Sequence, residues 1–269
     1  MTQRARKGPT PHRARKRFGQ HFLHDQNVLA RIVAAIDPRP GERLVEIGPG
    51  LGALTLPLLD RAGCLEAIEL DRDVIPRLAE RAGSHGQLAI HAADVLDFDF
   101  VAFAGSGPKL RVCGNLPYNI STPLLFHLLD ARQVISDMHF MLQKEVVARM
   151  AATPGNRAYG RLTVMLAAHC RCEHLFDVAP GAFRPPPQVD SAVVRVVPHA
   201  TAPFPVPDPL RFAAVVAAAF GQRRKTLRNS LAGVVSTAGL QANGIDPGRR
   251  AETLSPAEFA SLAMTPAPL

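Results

Sequence analysis

The sequence predicts an α/β fold built on a mostly parallel sheet, followed by a smaller helical unit. Three observations predict it. Apolar runs at residues 44–47, 65–70, 88–91, 110–115 and 138–142 alternate with helical stretches, which is the pattern of parallel strands covered by crossover helices. The first run leads into Gly48-Pro49-Gly50-Leu51-Gly52 and then a helix, the strand–turn–helix order of a nucleotide-binding unit. Residues 198–209 hold five prolines and read as a linker to a helical tail. The predicted organisation is therefore a basic tail at 1–17, a main domain at 18–200 and a helical domain at 201–269.

Residues 1–17 are polar and broken by Gly and Pro, so they are not expected to fold alone. Phe18-Gly19-Gln20-His21-Phe22-Leu23 is a compact aromatic and amide stretch ahead of a helix. Asp25 or Asn27 caps that helix, and Val28, Leu29, Ile32, Val33 and Ile36 give it an apolar face at helical spacing. Asp37-Pro38-Arg39-Pro40-Gly41 ends it. In the glycine turn, the missing side chains let the backbone approach a ligand, with helix amides close by. Glu69 closes the second strand, seventeen residues past Gly52, where an acid takes both hydroxyls of a ribose. Asp94 follows the third strand, placed to accept from an adenine amine. Glu46, inside the first strand, is expected to orient the glycine turn.

The fourth strand (Leu110, Val112, Cys113) ends in Asn115-Leu116-Pro117-Tyr118, at the carboxyl end where open α/β sheets keep their sites. This tetrad suits one task, holding a planar exocyclic amine. The Asn115 amide oxygen and a carbonyl near Leu116 accept its two N–H groups, Pro117 stiffens the turn, and Tyr118 offers a ring for a base. Helices are expected at 122–129, from Gln143-Lys144-Glu145 onward, and at 161–169. Residues 173–178 and 192–197 are β-rich and complete the sheet. Phe183-Arg184-Pro185-Pro186-Pro187 between them reads as a rigid loop with an exposed aromatic. The helix at 212–220 is expected to run on through Arg223, Arg224, Lys225 and Arg228, one basic stretch that tracks phosphates.

The net charge of +8 is unevenly placed. Residues 1–17 carry seven basic and no acidic side chains, residues 18–179 a net −3, and residues 180–269 a net +4. A near-neutral core between basic flanks points to a polyanion held by the flanks and worked on by the core. No apolar run is long enough to span a membrane and no secretory h-region follows the basic start. Cys64, Cys113, Cys170 and Cys172 are irregularly spaced, which fits a reducing cytoplasm and no disulfide framework. Cys170 and Cys172 lack the second pair that a zinc site needs and read as small hydrophobes, so no metal is expected. There is no Ser/His/Asp arrangement and no P-loop.

Strand, glycine turn and ribose acid are shared by dehydrogenases and class I methyltransferases. The G-x-G-x-G spacing, the third acid at Asp94 and the tetrad together favour S-adenosyl-L-methionine as cofactor. The sequence then resembles a known family. Residues 18–23, Glu46 through Gly52, Glu69-Leu70-Asp71, Asn115 through Thr122, Phe183 through Val194 and Gln222-Arg223-Arg224-Lys225-Thr226 together look like the small-subunit (16S) rRNA adenine N6,N6-dimethyltransferase family. The resemblance implies a class I sheet of seven strands and a bacterial, cytoplasmic, monomeric enzyme acting late in 30S assembly. It implies dimethylation of two adjacent adenosines in the 3′-terminal hairpin loop of 16S rRNA. It puts cofactor contacts on His21, Leu23, Gly48, Gly50, Glu69, Asp94 and Asn115, and substrate handling on Asn115, Leu116, Pro117, Tyr118 and Phe183, the two rings sandwiching the adenine. The rival readings are a large-subunit rRNA adenine methyltransferase, an adenine-specific DNA methyltransferase and a non-catalytic rRNA-binding assembly factor.

Overall fold

The computed structural model describes residues 21–222 and 224–267. The basic tail, Phe18-Gly19-Gln20 and Arg223 lie outside the described residues.

The chain starts with a two-residue strand, β1 (Phe22–Leu23), and then α1 (Gln26–Ile36). Asp25 caps α1 by accepting from the amides of Asn27 and Val28, and Leu29, Ile32, Val33 and Ile36 are buried along one face. The helix stops at Asp37, which turns left-handed at φ 47°. There follow β2 (Arg43–Ile47), α2 (Thr55–Ala62), β3 (Cys64–Glu69), α3 (Ile75–Ala82), β4 (Gln87–Ala92), α4 (Phe100–Ala104), β5 (Leu110–Asn115) and α5 (Ser121–Asp130). The second half holds β6 (Ile135–Gln143), α6 (Lys144–Met150), α7 (Arg161–Ala167), β7 (Cys170–Val178), β8 (Phe183–Arg184) and β9 (Ser191–Pro198). Beyond the sheet come α8 (Pro209–Gly221), α9 (Leu227–Ser230), α10 (Thr237–Ala242) and α11 (Pro256–Ala263).

Seven strands form one sheet in the order β4-β3-β2-β5-β6-β9-β7. The pairs from β4 to β6 are parallel, and β9 runs antiparallel to both β6 and β7. The order reverses between β2 and β5, which makes their carboxyl ends the switch point of the sheet. Side-chain alternation then builds two cores. Val45 and Val112 face a core shared with Leu124, Leu125 and Leu128 of α5, while Leu44 and Cys113 face one shared with α1 and α2. Among the described residues no helix is long and apolar enough to cross a membrane.

α3 and α4 were not delimited in the sequence beyond the alternation of strand and helix; both are short, and α3 buries only Leu78 and Ala82. Three features differ from the sequence expectations. The basic stretch at 223–228 is not one helix. α8 ends at Gly221, Gln222 leaves helical geometry at ψ 85°, and the amides of Leu227 and Arg228 bond to the carbonyls of Arg249 and Pro247 instead. Arg224 and Lys225 sit in the exposed turn and Arg228 on α9. Phe183, expected to be exposed, is 2% exposed. β8 pairs antiparallel with β1, opposing Phe183 to Leu23, and the ring packs in the core with Met141 and Val193. The proline-rich stretch is likewise anchored, since Phe204 and Val206 pack on the helical core.

That third core joins the helices after residue 209 to Tyr159, Val164 and Ala168 around α7. The Tyr159 hydroxyl donates to the Leu254 carbonyl at 2.7 Å, and the Gly155 amide to Glu252 at 2.7 Å. The helical unit therefore packs on α7 as well as on itself.

Gly114 marks the tightest point of the switch. A Cβ there would stand 2.5 Å from the Ile47 carbonyl oxygen on β2, a backbone atom that cannot step aside. Gly114→Ala is expected to destabilise the protein by about 1–3 kcal/mol through overpacking. Chemical denaturation of the two proteins checks it, with an unchanged midpoint counting against the close approach.

Candidate active site

An open cavity of about 690 Å³ runs along the carboxyl ends of the central strands. The glycine turn, Glu69, Asp94 and the Asn115–Tyr118 tetrad line it, as do His21 and Leu23 from the start of the described chain. One switch point thus gathers residues more than ninety positions apart, because β2 and β5 are neighbours in the sheet and Asn115 donates to the His21 carbonyl.

The glycine turn is held from below and from the side. Gly48, Gly50 and Gly52 all have positive φ, and at Gly52 (φ +83°) a Cβ would also meet Leu78 at 2.7 Å. Beneath the turn Glu46, 2% exposed, accepts from the hydroxyl of Thr55, the first residue of α2, at 2.6 Å. The acid therefore ties the strand before the turn to the helix after it. Arg81 of α3 donates to the Leu51 carbonyl from the rim. Glu69 accepts the Gly50 amide at 3.1 Å and the Asp71 amide at 2.8 Å. Burial raises its pKa while these amides lower it. Leu70 beside it is 50% exposed and lines the cavity, an apolar surface next to Glu69 that was not singled out in the sequence. Asp94 accepts the Leu96 amide at 3.0 Å, which fixes its loop.

The tetrad turns away from β5 in a defined way. The Leu116 amide donates to Met141 on β6, the Ile120 amide donates to the Pro117 carbonyl at 3.3 Å, and the Ser121 hydroxyl donates to the Tyr118 carbonyl at 3.1 Å. The Asn115 Nδ2 donates to the His21 carbonyl at 3.1 Å, so its Oδ1 is left to accept from a ligand. His21 also bonds through Nδ1 to the Pro185 carbonyl at 2.8 Å, and its ring stacks near the Tyr118 ring with centroids 5.9 Å apart and planes at 27°. The Tyr118 hydroxyl meets Ser191 Oγ at 2.7 Å. Burial pushes the Tyr118 pKa up against the lowering effect of that bond, so the phenol stays neutral. His21 was expected at the site, but its stack near Tyr118, and Ser191 as a partner of Tyr118, went unread in the sequence. The only signal for Ser191 is a hydroxyl at the head of the apolar run at 192–197.

Phe183 does not line the cavity and lies in the core beneath the β1–β8 pair. Arg224, Lys225 and Arg228 lie outside it too. Arg224 lines a separate recess of about 360 Å³ with Arg157 and Arg250. His139, 3% exposed, borders the cavity; burial holds its pKa down to about 4, and its Nε2 has no hydrogen-bond partner. Among the described residues no cluster of three or more His, Cys, Asp or Glu side chains is placed to hold a metal ion. The thiols of Cys170 and Cys172 are 3.8 Å apart, and the buried Cys170 donates to the Leu166 carbonyl.

Burial raises the Glu46 pKa from 4.5 to about 8, with the Thr55 bond opposing. Between those values the folded protein keeps a proton that the unfolded chain has released, so stability falls as pH rises through the window. His139 runs the opposite way, but only between about 4 and 6.5. The thermal midpoint is therefore expected to drop from pH 6.5 to 8, and Glu46→Gln, neutral throughout, is expected to flatten that drop. Parallel slopes for the two proteins would remove Glu46 as its cause.

The comparisons with known proteins agree with this geometry. A family model described as ribosomal RNA adenine dimethylase matches residues 11–266. The chain is 57% identical over 252 residues to a protein of Pseudomonas aeruginosa named ribosomal RNA small subunit methyltransferase A, covering 94% of each. It is 58% identical over 250 residues to one of the same name from Xanthomonas campestris pv. campestris, covering 93% of this chain and 95% of that one. Among solved structures, the 23S rRNA methyltransferase ErmE superposes with a TM-score of 0.72 at 26% identity, over 90% of this chain and 98% of that chain. A dimethyladenosine transferase from Plasmodium falciparum gives a TM-score of 0.73 at 24% identity, over 90% and 96%, a likeness of fold. With the family model spanning nearly all of it, the chain belongs to the ribosomal RNA adenine dimethylase family.

Proposed function

We propose that this protein transfers methyl groups from S-adenosyl-L-methionine to N6 of two adjacent adenosines in the 3′-terminal hairpin loop of 16S rRNA, acting as a cytoplasmic monomer on the 30S subunit late in its assembly. The observation that carries the chemistry is the Asn115 amide, whose nitrogen is committed to the His21 carbonyl and whose oxygen is left at the cavity. Relatives named as small-subunit enzymes at 57% and 58% identity support the choice of subunit. The 26% identity to a 23S rRNA enzyme keeps the large subunit as the arm to test against.

The chemistry of the residues that line the cavity suits the methyl donor. Glu69 would take its ribose hydroxyls, Asp94 would accept from its adenine amine, Leu70 would offer its ring an apolar surface, and the glycine turn would bring backbone amides close. When bound, the donor supplies a methyl on a sulfonium, already an activated electrophile. An adenine N6 is a poor nucleophile because its lone pair is delocalised into the ring, so the protein's task is to orient it. Asn115 Oδ1 accepts one N–H. The Pro117 carbonyl is engaged by Ile120, so the Leu116 carbonyl is the better second acceptor. With N6 so held, attack would form the N6–methyl bond as the methyl–sulfur bond breaks, and the N6 proton would leave to solvent with no general base. After one transfer a single N–H remains, and one acceptor suffices for the second. Tyr118 stacks on the base from the cavity wall. Phe183 supports the site from the core beneath β1, and serves as the second half of a sandwich only if the β1–β8 pair shifts. Arg224, Lys225 and Arg228 with the basic tail hold phosphates.

Tritium transfer from labelled donor to under-methylated 30S subunits, with 50S subunits and duplex DNA alongside, tests the assignment. Label in N6,N6-dimethyladenosine from 30S alone is the expected result; label from 50S overturns the substrate, and no label from protein that binds 30S overturns the enzyme. Asn115→Ala is expected to slow transfer roughly a hundredfold, the size of one preorganised polar contact at a reacting centre. Donor affinity, read by calorimetry, should change far less; an equal loss in both would make Asn115 a donor-binding residue only. Tyr118→Ala should cost a stack of about 1–3 kcal/mol.

A further inference from the structure

We propose that Ser191 is a positioning residue for methyl transfer, setting the plane of the Tyr118 ring through a buried hydroxyl pair. The proposal rests on the reading of Tyr118 as the stacking surface for the target base. Ser191 is 0% exposed and its Oγ lies 2.7 Å from the Tyr118 hydroxyl. It is the first residue of β9, opposite Gln143 on β6 and Val178 on β7. Ladders on both sides fix its backbone, so the hydroxyl is an immobile post.

Tyr118 is the movable partner. Its carbonyl is held by Ser121 and its turn by the Ile120 amide, but both bonds fix backbone and neither fixes the ring. The ring faces an open cavity on one side and the His21 imidazole at 5.9 Å on another. Its hydroxyl bond to Ser191 is what pins the far end. A base that stacks on a pinned ring finds its N6 already aimed between Asn115 Oδ1 and the backbone. A base on a loose ring must order the ring first, an entropic cost that slows transfer. The hydroxyl of Tyr118 thus acts on transfer without touching substrate, and removing it leaves the Ser191 hydroxyl buried without its bond.

The test measures single-turnover transfer at saturating donor, on whichever rRNA substrate the parent protein labels, for Ser191→Ala, Ser191→Thr, Tyr118→Phe, the Tyr118→Phe/Ser191→Ala double variant and Tyr118→Ala. Donor affinity and thermal midpoint are read for each. Ser191→Ala and Tyr118→Phe should each slow transfer roughly threefold to tenfold, the size of one neutral hydrogen bond, with donor affinity unchanged. The double variant should be no slower than either single, because both remove the same contact. Ser191→Thr keeps the hydroxyl and should recover most of the rate. Multiplicative losses in the double variant overturn the proposal, as does Ser191→Ala that melts lower yet transfers at the parental rate. Tyr118→Phe carries the test if Ser191→Ala fails to fold, and a parental rate for it overturns the proposal. Normal transfer by Tyr118→Ala removes the stacking reading and the proposal with it. A slow Tyr118→Ala beside a normal Ser191→Ala removes only the role of Ser191.

Discussion

Everything at the site depends on two parallel strands that end side by side at a point where no side chain would fit between them. β2 and β5 pair from Arg43↔Leu110 to Glu46↔Cys113, and the next residue of β5 is Gly114, whose missing side chain admits the Ile47 carbonyl. The two strands therefore end side by side. One delivers the glycine turn and the other Asn115, so both line one cavity. Neither loop has to reach. The sheet brings them together because the chain crosses back over β2 to make β5, and the crossover is enforced by burial on both faces.

The acids along this edge divide the electrostatic work by their surroundings. Glu46 has no amide donor and full burial, so it carries its proton to about pH 8 and serves as a neutral bridge to Thr55. Glu69 is nearly as enclosed but receives two backbone amides, which oppose the burial that still raises its pKa. Asp94 is more open and has one amide. The difference between Glu46 and Glu69 is one of partners, not of residue type.

How much of this was legible in the sequence follows from what each signal depends on. Glu69, Asp94 and the tetrad were legible because each ends an apolar run, and strand ends are set by local pattern. Glu46 was legible as a prop for the turn because a carboxylate inside a buried strand must find a partner. Phe183 was misread as exposed. Its prolines suggested a projecting loop, and nothing local encodes that β8 pairs with a two-residue strand more than 150 positions earlier. The basic run at 223–228 was misread as one helix because Arg and Lys are good helix formers. The competing bonds to Arg249 and Pro247 come from a distant loop and win. The stack of His21 near Tyr118 and the Ser191 hydroxyl pair are contacts between segments that only the fold makes neighbours.

Those unread contacts close a ring around the target amine. From Asn115 the path runs to the His21 carbonyl, from the His21 imidazole to Pro185, along the chain to Ser191, and through its hydroxyl to Tyr118, three residues from where it began. Three chain segments thereby hold one another at the mouth of the cavity. For a reaction with an activated electrophile and no need of a base, orientation is what remains for a protein to supply. A closed loop of bonds supplies it better than separate ones, because no member can turn without breaking its neighbour's bond. That is why a carbonyl, an imidazole and a hydroxyl with no chemistry of their own belong to the working part of this site.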